Sequence, residues 1–187
     1  MKAKIISSLL ATERKGIPEL LEYMDANGFY ESPCSSGHHL CKPGGLAEHS
    51  VAVLDTMEIL YQTKLKDYSM SFPNLRVESI IITSLLHDLG KMGQYGNPGY
   101  VPNILASGKQ SIPKPYETNK NLLFKPHEVR SIEIASKFIE LTEEESFAIY
   151  FHNGLYVPSG RDLSGKERPL QTLLHFSDMW ASRFLEV

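Results

Sequence analysis

Apolar residues recur along most of this chain with the three-to-four-residue spacing of amphipathic helices, not the alternation of strands. IPELLEYMDANGF has Pro18 where a helix starts and Gly28 where it ends. GGLAEHSVAVLDTMEILYQTK carries Leu46, Val53, Met57 and Leu60 at helical intervals. NLRVESIIITSLLHDLGKM is nearly all apolar through its middle. It predicts a buried helix from near Asn74 to near Gly90. PHEVRSIEIASKFIE is amphipathic, and LTEEESFAIYFHNG opens with Thr142 and Glu145 in capping-box register and closes at Gly154. RPLQTLLHFSDMWASRFLEV places Pro169 at a first helical position. The reading is therefore all-α, one helical bundle over 1–187, with residues 1–30 as a helical lead-in.

The interruption is the segment between Gln94 and Pro126, rich in Pro, Gly and Asn. Short strands near Tyr100 and Leu122 are expected, paired as a small β-hairpin. Connections this long inside a compact domain are more often functional than idle, so the 95–126 loop is a candidate lid. From Pro102 to Pro126 it carries Lys109, Lys114, Lys120 and Lys125 against the single acid Glu117. That local excess would attract phosphate, and Tyr116 beside Pro115 could stack on a base. A solvated loop with a packing tyrosine is the plainer alternative.

Composition changes little. A chain of 187 residues, 42% hydrophobic and 22% charged, suits an ordinary globular protein. A net charge of -3 argues against coating nucleic acid by bulk attraction, but leaves room for a local basic pocket. No run is long enough to span a bilayer, so no membrane partner is expected. Two cysteines cannot make a disulfide scaffold, and MKAKIISSLLATERKG lacks a clear cleavage site; a cytoplasmic location fits both. The oligomeric state is not set, and a homo-oligomer stays open.

The candidate chemistry lies at helix ends. Of seven histidines, His49, His87, His127, His152 and His175 stand beside a helix terminus or on a buried helical face. Asp88 and Asp178 share two of those helices. Imidazole nitrogen with carboxylate oxygen suits zinc, manganese, iron and related ions. A carboxylate can also bridge two ions, a pair of which activates water and clamps a phosphoryl oxygen. Each position has a plain counterpart. His87 and Asp88 could be a buried hydrogen-bonded pair, His49 a core histidine, His127 a helix-start residue, and His152 a C-terminal cap. Asp178, among Phe176, Met179 and Trp180, suits a solvated face poorly. The stretch CSSGHHLC holds Cys34, His38, His39 and Cys41, all zinc-ligand types. It lacks a Cys-x-x-Cys turn, and four ligands within eight residues would strain a tetrahedron.

GGLAEHS, LLHDLGK, KPHEVRS, AIYFHNG and LLHFSD, in that order, resemble the H, HD, H, H, D motifs of HD-domain metal-dependent phosphohydrolases. The likeness runs from about PCSSGHH to HFSDMWASR, most of the chain. Its HH-then-GGLAEH start looks most like the HD domain attached to certain 3'-to-5' exoribonucleases. Those enzymes carry an N-terminal nucleic-acid-binding domain, which is not expected here, so the match alone does not imply nuclease activity. The resemblance implies an HD-type helical bundle holding one or two divalent ions (Mn, Fe, Ni, Co or Zn). His49, His87, Asp88 and Asp178 would surround one. His127 and His152 would hold the second, with Asp88 bridging and catalytic. Lys91 would face the substrate phosphate, His38 or His39 would border the mouth, and His175 would orient a ligand or simply pack. Lys114, Tyr116 and Lys120 complete the expected substrate-binding set. The expected reaction is hydrolysis of a phosphate ester or anhydride in a small, nucleotide-type substrate. A phosphodiesterase or exonuclease on short or cyclic oligonucleotides is the near alternative. An HD-fold di-iron oxygenase shares the ligand set. A binding protein without turnover is the third rival, disfavoured by the intact ligands.

Overall fold

The computed structural model describes residues 1–67 and 75–186. The described chain is mostly helical: α1 (Lys2–Leu10), α2 (Ile17–Ala26), α3 (Gly45–Asp67), α4 (Val77–Leu86), α5 (His127–Ala135), α6 (Glu143–Tyr150) and α7 (Pro169–Trp180). A 3-10 turn, Leu89–Met92, follows α4, and α7 runs on into a π turn, Ala181–Leu185. Among the described residues no helix is long and apolar enough to cross a membrane.

Helix α4 organises the bundle. Its apolar residues are not confined to one stripe, and every residue from Ser79 to Leu86 is buried. Such a helix must be surrounded, and α1, α3, α6 and α7 pack against it. Each fully buried Ile or Leu contributes roughly 1.5–3 kcal/mol. Its hydroxyls are satisfied locally: Thr83 Oγ1 donates to Ser79 O at 2.7 Å and Ser84 Oγ to Ile81 O at 3.1 Å. The expected start near Asn74 lies outside the described residues.

The predicted punctuation holds. Pro18 and Pro169 sit in the first turns of α2 and α7. Thr142 and Glu145 form the reciprocal capping box of α6. The same Glu145 carboxylate, fully buried, accepts from Ser79 Oγ at 2.7 Å and takes a fork from Arg14, Nη1 at 2.6 Å and Nη2 at 2.9 Å. Arg14 lies between α1 and α2, so one carboxylate ties the lead-in, α4 and α6 together.

The hairpin expected near Tyr100 forms, but its second strand differs. β3 (Tyr100–Pro102) pairs antiparallel with β4 (Tyr116–Thr118), not with a strand near Leu122. Leu122 lies in a turn instead, its N–H donating to Asn119 O. The pairing is set upstream, where the Tyr116 N–H donates to Ser36 O and docks β4 on the 34–41 loop. A smaller unpredicted hairpin precedes it, β1 (Gly93–Gln94) with β2 (Asn97–Pro98). Tyr95 and Gly96 between them both have positive φ, 56° and 74°. That is the tight-turn geometry glycine accommodates and tyrosine does so at a cost.

Arg14→Ala should lower the unfolding free energy by about 3 kcal/mol, because a buried carboxylate loses its partner; chemical denaturation reads this. Burial works to raise the Glu145 pKa, but bonds from Arg14, the Thr142 N–H and Ser79 outweigh it and hold the carboxyl low. A lowered folded pKa gives stability that is present above the unfolded value and lost as pH falls. Acidification through the carboxyl range should therefore destabilise the wild type more steeply than Glu145→Gln.

Candidate metal centre

Four helix ends meet at one point. Helix α4 stops at Leu86, and His87 and Asp88 follow it; His49 lies in the first turns of α3; His127 opens α5; His152 lies just past α6. Asp178 comes from α7. The structure brings all six sequence-predicted ligands together. His87 and His49 are fully buried, and Asp88 and His152 nearly so.

The two oxygens of Asp88 face different histidine pairs. Oδ2 lies 3.6 Å from His49 Nε2 and 3.5 Å from His87 Nε2. Oδ1 lies 3.1 Å from His127 Nε2 and 3.6 Å from His152 Nε2. Asp178 Oδ1 is 3.2 Å from His49 Nε2. Within the pairs, the Nε2 atoms approach to 3.3 Å, His49 to His87 and His127 to His152.

The far side of each ring decides which nitrogen carries the proton. His87 Nδ1 donates to Ser84 O at 2.8 Å, and His152 Nδ1 to Ile149 O at 2.7 Å. A carbonyl only accepts, so in the neutral rings the proton is on Nδ1 and Nε2 presents a lone pair. His49 Nδ1 meets the Glu186 carboxylate at 2.8 Å, and His127 Nδ1 meets Glu128 at 3.2 Å. Orientation of this kind is how imidazoles are set for metal binding. Where both rings are neutral, lone pairs converging at 3.3 Å repel each other unless a proton or a metal cation lies between them.

Asp88 Oδ1 tests the fit. It is buried and completes no hydrogen bond within the protein, an expensive arrangement for a carboxylate. Nitrogen and oxygen ligands about 2.1 Å from one ion lie roughly 3.0–3.5 Å apart. The separations around Asp88, 3.1–3.6 Å, lie within that range or 0.1 Å beyond it. The buried His and Asp clusters could therefore hold a metal ion.

Lys91 follows from the 3-10 turn, which eclipses residues three apart. Its Nζ lies 2.5 Å from Asp88 Oδ2. Burial works against its charge, but Asp88 outweighs burial and the ammonium pKa is pushed well up. Burial alone would raise the Asp88 pKa; Lys91 and His87 bring it well down. Burial, followed by the charge of His87, pushes His152 down to about 3, so that ring stays neutral. For His49, burial is overcome by Cys34, Asp178 and Glu186, and the pKa rises.

A cavity of about 200 Å³ opens beside Asp178 and His152, bordered by His39, Lys91, Tyr156 and Arg183. A second, about 530 Å³, lies on the other side of Lys91, against Tyr100, Lys125, His127, Arg130 and Tyr150. Of the expected substrate-binding set, His39 reaches the first cavity. His38, Lys114 and Lys120 are exposed and Tyr116 half-buried; none of these four lines either cavity. A larger cavity, about 990 Å³, lies apart from these residues between α3 and α7, at Ile59, Leu60, Phe176 and Trp180. His175 is hydrogen-bonded through Nδ1 to His152 O at 2.7 Å, so it braces the backbone of a ligand candidate.

Glu186, Glu128 and Arg183 did not emerge from sequence reasoning. Arg183 follows Met179 by one helical turn, and both line the first cavity, so helical spacing could have found it. Glu186 meets a histidine 137 residues away, and no spacing rule reaches that far.

No protein-family model, curated protein or solved structure significantly matches this chain.

Gly90 lets the 3-10 turn touch α5. A Cβ there would lie 2.3 Å from His127 O and 2.8 Å from Arg130 Cβ. Gly90→Ala should separate Asp88 from His127, weakening manganese or zinc binding at least tenfold by titration calorimetry. In the wild type, divalent ion at a hundredfold excess over Kd should stabilise the fold by about 2.7 kcal/mol. Chelation should reverse the accompanying rise in Tm.

Proposed function

We propose that this protein is an HD-type, metal-dependent phosphohydrolase acting on a phosphate ester or anhydride of a small nucleotide-type substrate. The observation that carries the reading is the Asp88 carboxylate, whose two oxygens each face a separate pair of histidine Nε2 atoms. That arrangement fits two ions with Asp88 between them. The motif order H, HD, H, H, D supports the same assignment. Bound divalent ions would supply a water acidified toward neutrality and positive charge for the phosphoryl oxygens.

The protein's own groups have defined tasks. The Lys91 ammonium borders both cavities, so it serves a phosphoryl oxygen arriving from either side while it neutralises Asp88. Arg183, at the edge of the smaller cavity, adds a second cation for substrate phosphate. Glu186, Glu128 and the Ser84 and Ile149 carbonyls hold the four imidazoles in place. Burial of His87 and Asp88 keeps bulk water from competing for their donor atoms.

The test is product analysis by chromatography. Metal-free protein is reloaded with manganese and offered nucleoside mono- and triphosphates, cyclic nucleotides and short oligonucleotides. The wild type should release phosphate or nucleotide from at least one class. Asp88→Asn, which keeps the shape but removes the charge, should lose bound metal and about 10²–10³-fold or more of the rate. Full turnover and metal content in Asp88→Asn would sink the site assignment. Silence on every substrate, together with oxygen uptake by the iron-loaded protein, would replace hydrolysis with di-iron oxygenase chemistry.

A further inference from the structure

The 34–41 loop is more tightly built than a surface connection needs to be. The Cys34 N–H donates to Leu40 O at 3.1 Å. Ser35 Oγ accepts from the His38 N–H at 2.9 Å and donates to His39 O at 2.8 Å. Leu40 takes a left-handed backbone, φ 46°, at a cost of about 1–3 kcal/mol for a residue other than glycine. The loop thereby sets Cys34 Sγ and His39 Nε2 side by side, 3.4 Å apart. Cys34 is fully buried although its loop lies at the rim of the bundle.

A third donor arrives from the other end of the described chain. Glu186 follows the π turn, and its carboxylate is 3% exposed. One oxygen accepts from His49 Nδ1 at 2.8 Å; the other lies 3.7 Å from His39 Nε2. Cys34, His39 and His49 each offer a donor atom within 4.8 Å of the others. Thiolate, imidazole and carboxylate together form a zinc donor set. Such ligands around one tetrahedral ion lie roughly 3.3–3.7 Å apart; Cys34 Sγ to His39 Nε2 is 3.4 Å and His39 Nε2 to the Glu186 carboxylate is 3.7 Å. Burial pushes the Cys34 thiol pKa up; Lys91 Nζ, 3.9 Å from Sγ, works against that and would side with a metal ion in drawing off the proton. CSSGHHLC need not supply four ligands, because the fold brings the third from Glu186 and a water can complete the tetrahedron.

We propose that Cys34, His39 and Glu186 form a further metal site, for zinc or another thiophilic divalent ion, separate in its ligands from the centre around Asp88. An ion there ties the 34–41 loop to the C-terminal turn, and Glu186 links it to the orientation of His49.

The test uses cobalt in the full chain. Metal-free protein is titrated with cobalt while the thiolate-to-cobalt charge-transfer absorption and the bound equivalents are measured. The wild type and Cys41→Ser should show the band. Cys34→Ser should lack it and bind one equivalent fewer. His39 is only half-buried, so His39→Ala tests the same site without opening the core and should also lose one equivalent. Asp88→Asn should keep the band while losing the neighbouring centre, so failure of the hydrolase reading leaves this result untouched. Zinc should raise Tm less in Cys34→Ser than in the wild type, each against its own chelated form. A folded, cobalt-binding wild type without the band would overturn the proposal, as would a band that survives Cys34→Ser or disappears in Cys41→Ser.

Discussion

The structure turns on one buried carboxylate. Asp88 sits just past the end of a buried helix, and its charge is met on one side by Lys91. On the other sides it meets only imidazole nitrogens whose opposite edges are already committed to acceptors. Removing a carboxylate from water costs several kcal/mol unless something replaces the lost solvation. One ammonium does not complete that replacement, since Asp88 Oδ1 has no hydrogen-bond partner. A cation among the Nε2 atoms would complete it, and would also relieve any repulsion between neutral rings. The helix ends gather here, and each delivers one potential donor to the same few ångströms.

That convergence matches the distribution of rigid parts. The donors sit on or beside α3, α4, α5, α6 and α7, not on the long loop. Gly90 exists to let two of these elements touch, and His175 braces the chain after α6. The Arg14–Glu145 fork serves the same end from a distance, fixing the lead-in and α6 on α4. Variable chemistry is then left to the cavity edges, where Arg183, Tyr156, Lys125 and Tyr100 stand.

Much of this was legible in the sequence where the governing interaction is local. Helical periodicity, the Thr142 capping box and the prolines at 18 and 169 depend on neighbours within a turn, and they emerged with the right type and place. The six histidine and aspartate candidates were legible for a related reason: polar groups at the ends of apolar runs are anomalous, and the motif order links them. What escaped depends on pairs far apart in sequence. Glu186 meets His49, and Arg14 meets Glu145, through the packing of whole helices. The partner strand of Tyr100 was expected near Leu122 although tyrosine is the better strand former; Tyr116 pairs instead, docked by its N–H on Ser36 O, a contact that no local pattern encodes. The loop lysines were read from composition, which counts charge but not direction, and Lys114 and Lys120 lie away from both cavities.

The π turn after α7 sets a limit on how this chain can change length. The Glu186 N–H bonds back five residues to Ala181 O, one residue more than an α-helix spans. Restoring a regular turn by deleting a residue would rotate everything beyond it by roughly 100°. Glu186 would leave His49 and His39 together. The exposed 104–110 stretch, by contrast, can gain or lose residues without moving any donor atom. Insertions and deletions should thus be strongly asymmetric along this fold: tolerated at the hairpin tip, excluded from a five-residue turn that looks like ordinary helix in sequence.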